Sequence, residues 1–144
     1  MRPITTLMLA AAVAVPLAVA GPAAAEILKF KATLTGAAET PPTDSAGTGV
    51  ADVQYDTELK ALSWTVTFAN LSGDVTAAHF HGPAAEGAKA DPVVPIKGNL
   101  KSPISGTSTL TPEQAADLQK ELWYFNLHTA KYPDGEVRGQ LLKQ

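Results

Sequence analysis

The sequence contains no cysteine among its 144 residues. A chain without cysteine forms no disulfide, so the packing of its core must hold the fold together. The two methionines are Met1 and Met8, so the rest of the chain offers a metal no sulfur at all. This excludes a blue-copper electron-transfer site, which needs a cysteine thiolate, and argues against a carrier of soft Cu(I). Any metal site beyond the amino terminus must therefore use imidazole and oxygen ligands.

Basic clusters and long apolar runs are also missing from most of the chain. The 11 Lys and Arg residues stand against 14 Asp and Glu residues, and the formal net charge is −3. A mildly acidic chain without a basic cluster is a poor candidate for nucleic-acid binding. After residue 25 no apolar run is long enough to cross a membrane, so we expect no membrane span in the mature protein.

The amino terminus carries the one long apolar run. A single positive charge precedes it, and small residues follow it up to Ala25. This pattern predicts a secretory signal peptide over residues 1–25, with cleavage after Ala25 and Ala20 as the second choice. A membrane anchor is the disfavoured alternative, because the run is at the lower limit for a span and Pro16 interrupts it. We expect a periplasmic or secreted protein with one domain, residues 26–144.

The rest of the chain is dominated by a hydrophobic period of two, which is typical of half-buried β-strands. Segments of this kind, or short apolar runs between turn signals, lie at residues 27–35, 50–55, 59–71, 75–81, 93–96, 106–110, 122–129 and 136–142. One short helix is predicted near residues 112–121, because Thr111, Pro112 and Gln114 form a capping box with proline at the first helical position. The pattern predicts an all-β fold, an antiparallel Greek-key β-sandwich with one short helix.

All three histidines fall in two of these predicted strands. His79 and His81 flank Phe80, and His128 lies in the aromatic run of residues 122–129. Neighbouring residues of a strand point to opposite faces, so a core position for Phe80 puts His79 and His81 on the outer face. Residues two apart on a strand are roughly 6.5–7 Å apart at their Cα atoms, so two imidazoles can tilt onto one ion.

A third imidazole from an adjacent strand would complete a mononuclear site made of His79, His81 and His128, with water or a carboxylate as the fourth ligand. Imidazole with oxygen suits copper(II) or zinc, and copper(II) binds the more tightly of the two. The site depends on the two histidine-bearing strands being neighbours. The alternative interpretation is a set of three solvated surface histidines.

Other polar and aromatic residues have simpler interpretations. Glu136 and Arg138 are two apart, share a strand face and most simply form an exposed pair that contributes little to stability. Glu39, which precedes two prolines, is expected in solvent, although it can reach a site as an oxygen ligand. Trp64 and Trp123 are expected in the core rather than on a sugar-binding surface.

Motifs in a fixed order give the chain a resemblance to a known family. They are FKATLTGAAETPP at residues 30–42, AHFHGPA at 78–84, NLHT at 126–129 and YPDGEVRGQL at 132–141. On these motifs the chain resembles the CHRD domain, named for chordin, over nearly all of its predicted mature length. The resemblance implies a β-sandwich that is distantly similar to Cu/Zn superoxide dismutase.

By that resemblance His79, His81 and His128 would be copper ligands. Arg138 would sit near the metal as an anion guide, with Glu136 on the same strand. The sequence departs from the dismutase in having no bridging fourth histidine, no disulfide and no evident zinc loop. These departures count against dismutase activity, although a single-copper form remains compatible with the residues present.

Two classes of function follow from these observations. The first is an exported protein that holds one copper(II) or zinc ion through three histidines, for capture, buffering or delivery, or for redox chemistry. The second is a metal-free module that binds another protein in the envelope or outside the cell. The sequence leaves open whether the protein is an enzyme.

Overall fold

The structure is a computed structural model that describes residues 24–144, and the predicted signal peptide lies almost entirely outside them. Within these residues the chain forms one α-helix, α1 (Pro112–Gln119), and one short 3₁₀ helix (Gly36–Ala38). The strands are β1 (Ile27–Thr35), β2 (Thr48–Asp56), β3 (Ala61–Ala69), β4 (Val75–His81), β5 (Pro92–Pro95), β6 (Ile104–Thr109), β7 (Tyr124–Thr129), β8 (Val137–Gln140) and β9 (Leu142–Lys143). No helix in this part of the chain has the length and apolar character that crossing a bilayer requires.

The predicted alternation is what builds the strands. In β1, Leu28, Phe30, Ala32 and Leu34 are buried while the side chains between them face outward. Strands β2 and β3 repeat this pattern over their whole lengths. Because alternate residues of a strand face opposite sides of the sheet, one side of each strand enters the core and the other side stays polar.

Helix α1 begins as the sequence predicts. The Thr111 hydroxyl accepts a hydrogen bond from the Gln114 backbone N–H at 3.2 Å, and the Gln114 Oε1 accepts one from the Thr111 N–H at 3.0 Å. This reciprocal pair is the capping box. The helix ends at Gln119, slightly before the predicted end near residue 121, and buries Ala115 and Leu118 against the sheet.

The strands form one continuous antiparallel sheet in the order β5-β4-β7-β8-β1-β2-β3-β6, with β9 also pairing with β1. Strands β1, β2 and β3 follow one another as a meander, and β8 returns from a distant part of the sequence to lie beside β1. The resulting order β8-β1-β2-β3 is that of a Greek key. The predicted all-β antiparallel fold is confirmed.

The sheet is strongly curved, so that its two halves pack face to face around a single core. Trp64 of β3 lies edge-on against Phe80 of β4 with 5.3 Å between ring centroids, although several strands separate them in the sheet. Phe80 also contacts Phe125 of β7 at 4.8 Å. Both tryptophans are buried, so the prediction that Trp64 and Trp123 belong to the core is confirmed.

Two predictions about exposure are wrong. Glu136 and Arg138 are not an exposed pair, since both are buried, and Glu39 is not in solvent but 7 % exposed. The physical reason is that the loops before β2, after β4 and before β8 fold over the outer face of β4, β7 and β8. Outward-facing positions are therefore covered there, although the alternation of the strands is intact.

Candidate metal centre

The histidines come together because β4 and β7 are neighbouring strands. In the antiparallel register Ala77 lies opposite His128, and His79 lies opposite Asn126. Phe80, between the two histidines of β4, is fully buried in the core. The adjacency on which the predicted site depends is therefore confirmed, and all three imidazoles lie on the outer side of the sheet.

The three rings converge closely. One nitrogen from each of His79, His81 and His128 lies within 4.8 Å of the other two. The shortest approach is 3.1 Å, between His79 Nδ1 and His128 Nε2. Ligands bound to one ion at about 2.0–2.1 Å lie roughly 3 Å apart when adjacent, so the spacing of His79 Nδ1 and His128 Nε2 fits a single metal ion, and the third nitrogen lies close to them.

Two of the imidazoles are oriented by backbone carbonyls on their far sides. His81 Nδ1 donates to Ala90 O at 2.9 Å, and His128 Nδ1 donates to Pro133 O at 2.9 Å. A neutral imidazole has one N–H, and here that hydrogen is on Nδ1 in both rings because a carbonyl only accepts. Each Nε2 therefore presents a lone pair to the interior of the cluster, which is the arrangement typical of histidines that bind metals.

The amide of Asn126 completes the interior of the cluster. Its Oδ1 lies 3.0 Å from His81 Nε2 and 3.0 Å from His128 Nε2. Asn126 is 3 % exposed. With both Nδ1 atoms protonated, Asn126 Oδ1, His81 Nε2 and His128 Nε2 face one another as lone-pair acceptors. His79 Nδ1 is placed to donate a hydrogen to His128 Nε2 alone, so a cation among these atoms relieves the repulsion that remains.

His81 is further held by a stack of side chains. The Tyr124 ring lies parallel to the His81 ring with 4.7 Å between centroids and a 2° interplanar angle. The Arg138 guanidinium covers the other face of Tyr124, 3.4 Å from the ring centroid, and its Nη2 donates to Ala88 O at 2.7 Å. Arg138 therefore contacts the site through Tyr124 and the loop after β4, and it is 2 % exposed.

The electrostatics favour the neutral form of His79 and His81. Burial lowers the pKa of His79 below the usual histidine value of 6.5, and the neighbouring His128 and His81 lower it further. Burial also lowers the pKa of His81, although hydrogen bonds that the protonated ring would donate to Ala90 and Asn126 act in the opposite direction. A neutral imidazole is the form that binds a metal ion, so both shifts favour metal over protons.

A buried carboxyl group lies next to Asn126 on the side away from the histidines. Burial raises the pKa of Glu39 above 4.5, while the Arg138 charge and the Asn126 amide oppose that shift. Glu39 Oε1 is buried without a hydrogen-bond partner. A Cβ at Gly135 would lie 2.4 Å from this oxygen and 2.9 Å from Asn126 Nδ2, so glycine there leaves room for both groups.

Glu136 belongs to a different cluster from the histidines. Its carboxylate accepts hydrogen bonds from the hydroxyls of Ser45 at 2.6 Å, Ser72 at 2.6 Å and Thr129 at 2.5 Å. The Ser72 backbone N–H donates to it at 2.7 Å. Burial acts to raise the pKa of Glu136, but these hydrogen bonds outweigh it and the pKa is lowered. The carboxylate ties the loop before β2 and the turn before β4 to β7.

Sequence reasoning missed two residues of this region, Asn126 and Tyr124. They had a signal, because they alternate with Phe125 and share the outer face of β7 with His128. Glu39 was named as a residue that can reach a site but was expected in solvent, because its approach to Asn126 depends on how the loop before β2 packs on the sheet. The sequence analysis left water or a carboxylate open as a fourth ligand, and the group that lies next to the imidazoles is the amide of Asn126.

The fold and this cluster define an all-β sandwich with a candidate three-histidine metal centre on its outer face. The CHRD domain family matches residues 30–141, and the chain belongs to this family. No curated protein and no solved structure matches the chain.

Proposed function

We propose that this protein holds one copper(II) ion, or alternatively zinc, through His79 Nδ1, His81 Nε2 and His128 Nε2. The observation that carries the proposal is the pair of contacts that His81 Nδ1 and His128 Nδ1 make with backbone carbonyls. Their Nδ1 hydrogens are directed to Ala90 O and Pro133 O, so both Nε2 lone pairs face the third imidazole. Orientation of this kind by a backbone carbonyl is typical of histidines that bind a metal ion.

The donor set favours copper(II) over zinc. Neutral imidazoles with an oxygen donor suit both ions, and at a site of given geometry copper(II) binds more tightly than zinc. The donors come from the neighbouring strands β4 and β7 rather than from a flexible loop, so little ordering is required when the ion binds. We assign copper capture or buffering to the protein, at a periplasmic or secreted location that the predicted signal peptide at residues 1–25 supports.

Arg138 and Glu136 receive different parts in this proposal. The stack on Tyr124 supports Arg138 as a positioning residue for His81. Its burial at 2 % exposure argues against a role as a guide for incoming anions. The serine and threonine partners of Glu136 support a role in holding the loops around the site. Redox chemistry on superoxide stays a separate hypothesis, which an assay of the copper-loaded protein addresses.

A titration of residues 26–144 with copper(II), followed by calorimetry and electron paramagnetic resonance, tests the proposal. We expect one ion per chain, submicromolar affinity and nitrogen couplings from imidazole. His128→Ala should weaken binding by at least about 100-fold, because it removes a ligand and not merely a supporting group. The loaded wild type should also melt at a higher temperature, since a ligand of the native state stabilises it.

The chain offers an exact background control because it has three histidines in all. The triple variant His79→Ala, His81→Ala, His128→Ala retains every carboxylate but no imidazole. Wild-type affinity no better than that of the triple variant would overturn the proposal and leave a metal-free binding module as the better interpretation.

A further inference from the structure

Asn126 is the buried amide that directly faces the proposed metal position. It lies opposite His79 in the register of β4 and β7, and it is two residues before His128 on the same face. Its Oδ1 is equally distant, at 3.0 Å, from the Nε2 atoms of His81 and His128. A hydrogen bond to either ring would require a hydrogen on Nε2, and the carbonyls of Ala90 and Pro133 already take the one hydrogen of each neutral ring.

The spacing of these atoms is that of ligands around one ion. The separations from His79 Nδ1 to His128 Nε2, from there to Asn126 Oδ1, and from Oδ1 to His81 Nε2 are 3.1, 3.0 and 3.0 Å. Four ligands at about 2.0–2.1 Å from an ion are separated by about 2.9 Å in a square plane and about 3.3 Å in a tetrahedron. The observed spacing falls between these two values.

The orientation of the amide has its own physical cause. Asn126 Nδ2 and Glu39 Oε1 both lie against Gly135, on the side of the amide that points away from the histidines. A carboxylate accepts hydrogen bonds and repels an amide oxygen, so it favours Nδ2 on its own side. Oδ1 is thereby kept on the side of the imidazoles. Glu39 is 7 % exposed, and its Oε1 has no hydrogen-bond partner. Burial raises the pKa of Glu39 and the Asn126 amide opposes that shift, which is the direction expected when Nδ2 faces the carboxylate.

We propose that Asn126 Oδ1 is the fourth ligand of the metal centre, and that Glu39 is the positioning residue that keeps this oxygen facing the ion. The inference rests on the proposed function and deepens it. A site with four ligands from the protein has no equatorial position left for water or substrate, which is the arrangement of a site that holds an ion. It therefore favours capture or buffering over catalysis.

The first test asks whether water is bound to copper in the wild-type protein. Electron paramagnetic resonance of the copper-loaded protein in oxygen-17-enriched water should show no line broadening from an equatorial water. Asn126→Ala should introduce that broadening. Because a water takes the vacated position, copper binding should weaken by about 10- to 100-fold, less than on loss of an imidazole. The measurement on the wild type stands without any variant, so it decides the question even if Asn126→Ala folds poorly.

Gln140→Ala is the matched control for this test. Gln140 is another buried amide, on the strand next to β7, and its Nε2 donates to Ala84 O at 2.9 Å and Glu121 O at 2.7 Å. Its truncation should lower the melting temperature and leave the copper spectrum and affinity unchanged. If both variants alter the spectrum alike, the effect of Asn126→Ala is structural and the ligand assignment fails.

The second test asks whether Glu39 orients the Asn126 amide or only fills space beside it. Glu39→Leu removes the acceptor and should weaken copper binding about tenfold, the size expected for loss of an orienting partner. Glu39→Gln retains an acceptor oxygen and should restore affinity to within about threefold of the wild type. Equal affinities for the two variants would contradict the positioning role.

The outcomes distinguish this inference from the proposed function itself. Absence of tight copper binding in the wild type overturns both. Tight binding by the wild type with an equatorial water, and unchanged affinity in Asn126→Ala, keeps the three-histidine site and rejects Asn126 as its fourth ligand.

Discussion

The outer face of β1, β2 and β3 and the outer face of β4, β7 and β8 follow the same strand alternation but have opposite environments. On the first face Lys31 and Asp52 form an ion pair at 3.5 Å with side chains 47 % and 64 % exposed. On the second face His81, Asn126 and Arg138 are buried. Polar residues point outward on both faces, but loops shield several of them from water only on the second face.

The loops make the difference between the two faces. Ala88 O and Ala90 O, on the loop after β4, accept from Arg138 and His81. Thr40, on the loop before β2, donates to Gly87 O at 3.0 Å, so the two loops also hold each other. A hydrogen bond under such a cover is stronger than one in water, and an unpaired polar group there is more costly. Polar side chains on the covered face are therefore fixed in place.

Loss of the buried Glu136 carboxylate should give the largest change in stability. In Glu136→Gln an amide replaces a charged acceptor of three hydroxyls and one backbone N–H, and we expect about 3 kcal/mol less free energy of unfolding. Urea denaturation of the wild type and the variant measures this difference in the free energy of unfolding. Asp52→Asn on the solvated face is the matched acid-to-amide control. A loss of similar size in both variants would contradict the contrast between the faces.

The stabilising effect of Glu136 on the covered face should depend on pH. Its pKa is lowered from 4.5 in the folded protein, so its stabilising effect is full above that value and is lost as the pH falls through the folded pKa. The difference in unfolding free energy between wild type and Glu136→Gln should therefore shrink in acid below pH 4.5. Glu39 acts in the opposite sense, because its raised pKa means that protonation relieves a cost of burial. A constant difference from pH 7 to pH 3, about the range that spans this titration, would refute the role of Glu136.

Removal of the Arg138 guanidinium should have a smaller effect. Arg138→Met keeps the apolar stem but loses the contact with Tyr124 and the hydrogen bond to Ala88, and we expect about 1–2 kcal/mol lower stability. Copper affinity should fall about tenfold, because the ring of His81 is then less fixed.

Lys131→Met is the matched control for this variant. Lys131 Nζ lies 5.0 Å from the Tyr132 ring centroid, a contact of the same kind in solvent. Lys131→Met should leave the free energy of unfolding and the copper affinity unchanged. A copper affinity in Arg138→Met equal to that of Lys131→Met would show that the stack does not position His81.

The ion pair of the solvated face should show the smallest effect. A double-mutant cycle of Lys31→Ala and Asp52→Ala should give a coupling of about 0.2–1 kcal/mol that falls with added salt. The measurement is thermal or urea unfolding at low and high ionic strength. A coupling as large as the effect of Glu136→Gln would mean that the cover of loops is not what separates the two faces.

The sequence by itself determined the features that depend on near neighbours along the chain. The period of two set which side of each strand is buried, and Thr111 with Gln114 set the start of α1. The alternation of side chains along β4 alone placed His79 and His81 on the face opposite Phe80. These features are local because strand geometry and capping hydrogen bonds involve residues only a few positions apart.

The tertiary structure alone decided what surrounds the histidines. The pairing of β4 with β7 brought His128 to the other two, and the packing of the loops buried Arg138 and placed Glu39 beside Asn126. Such contacts join residues distant in sequence, and the alternation of polar and apolar residues is the same whether a face meets water or a loop. Only the fold distinguishes the two, because burial of the outer face depends on which loops close over it.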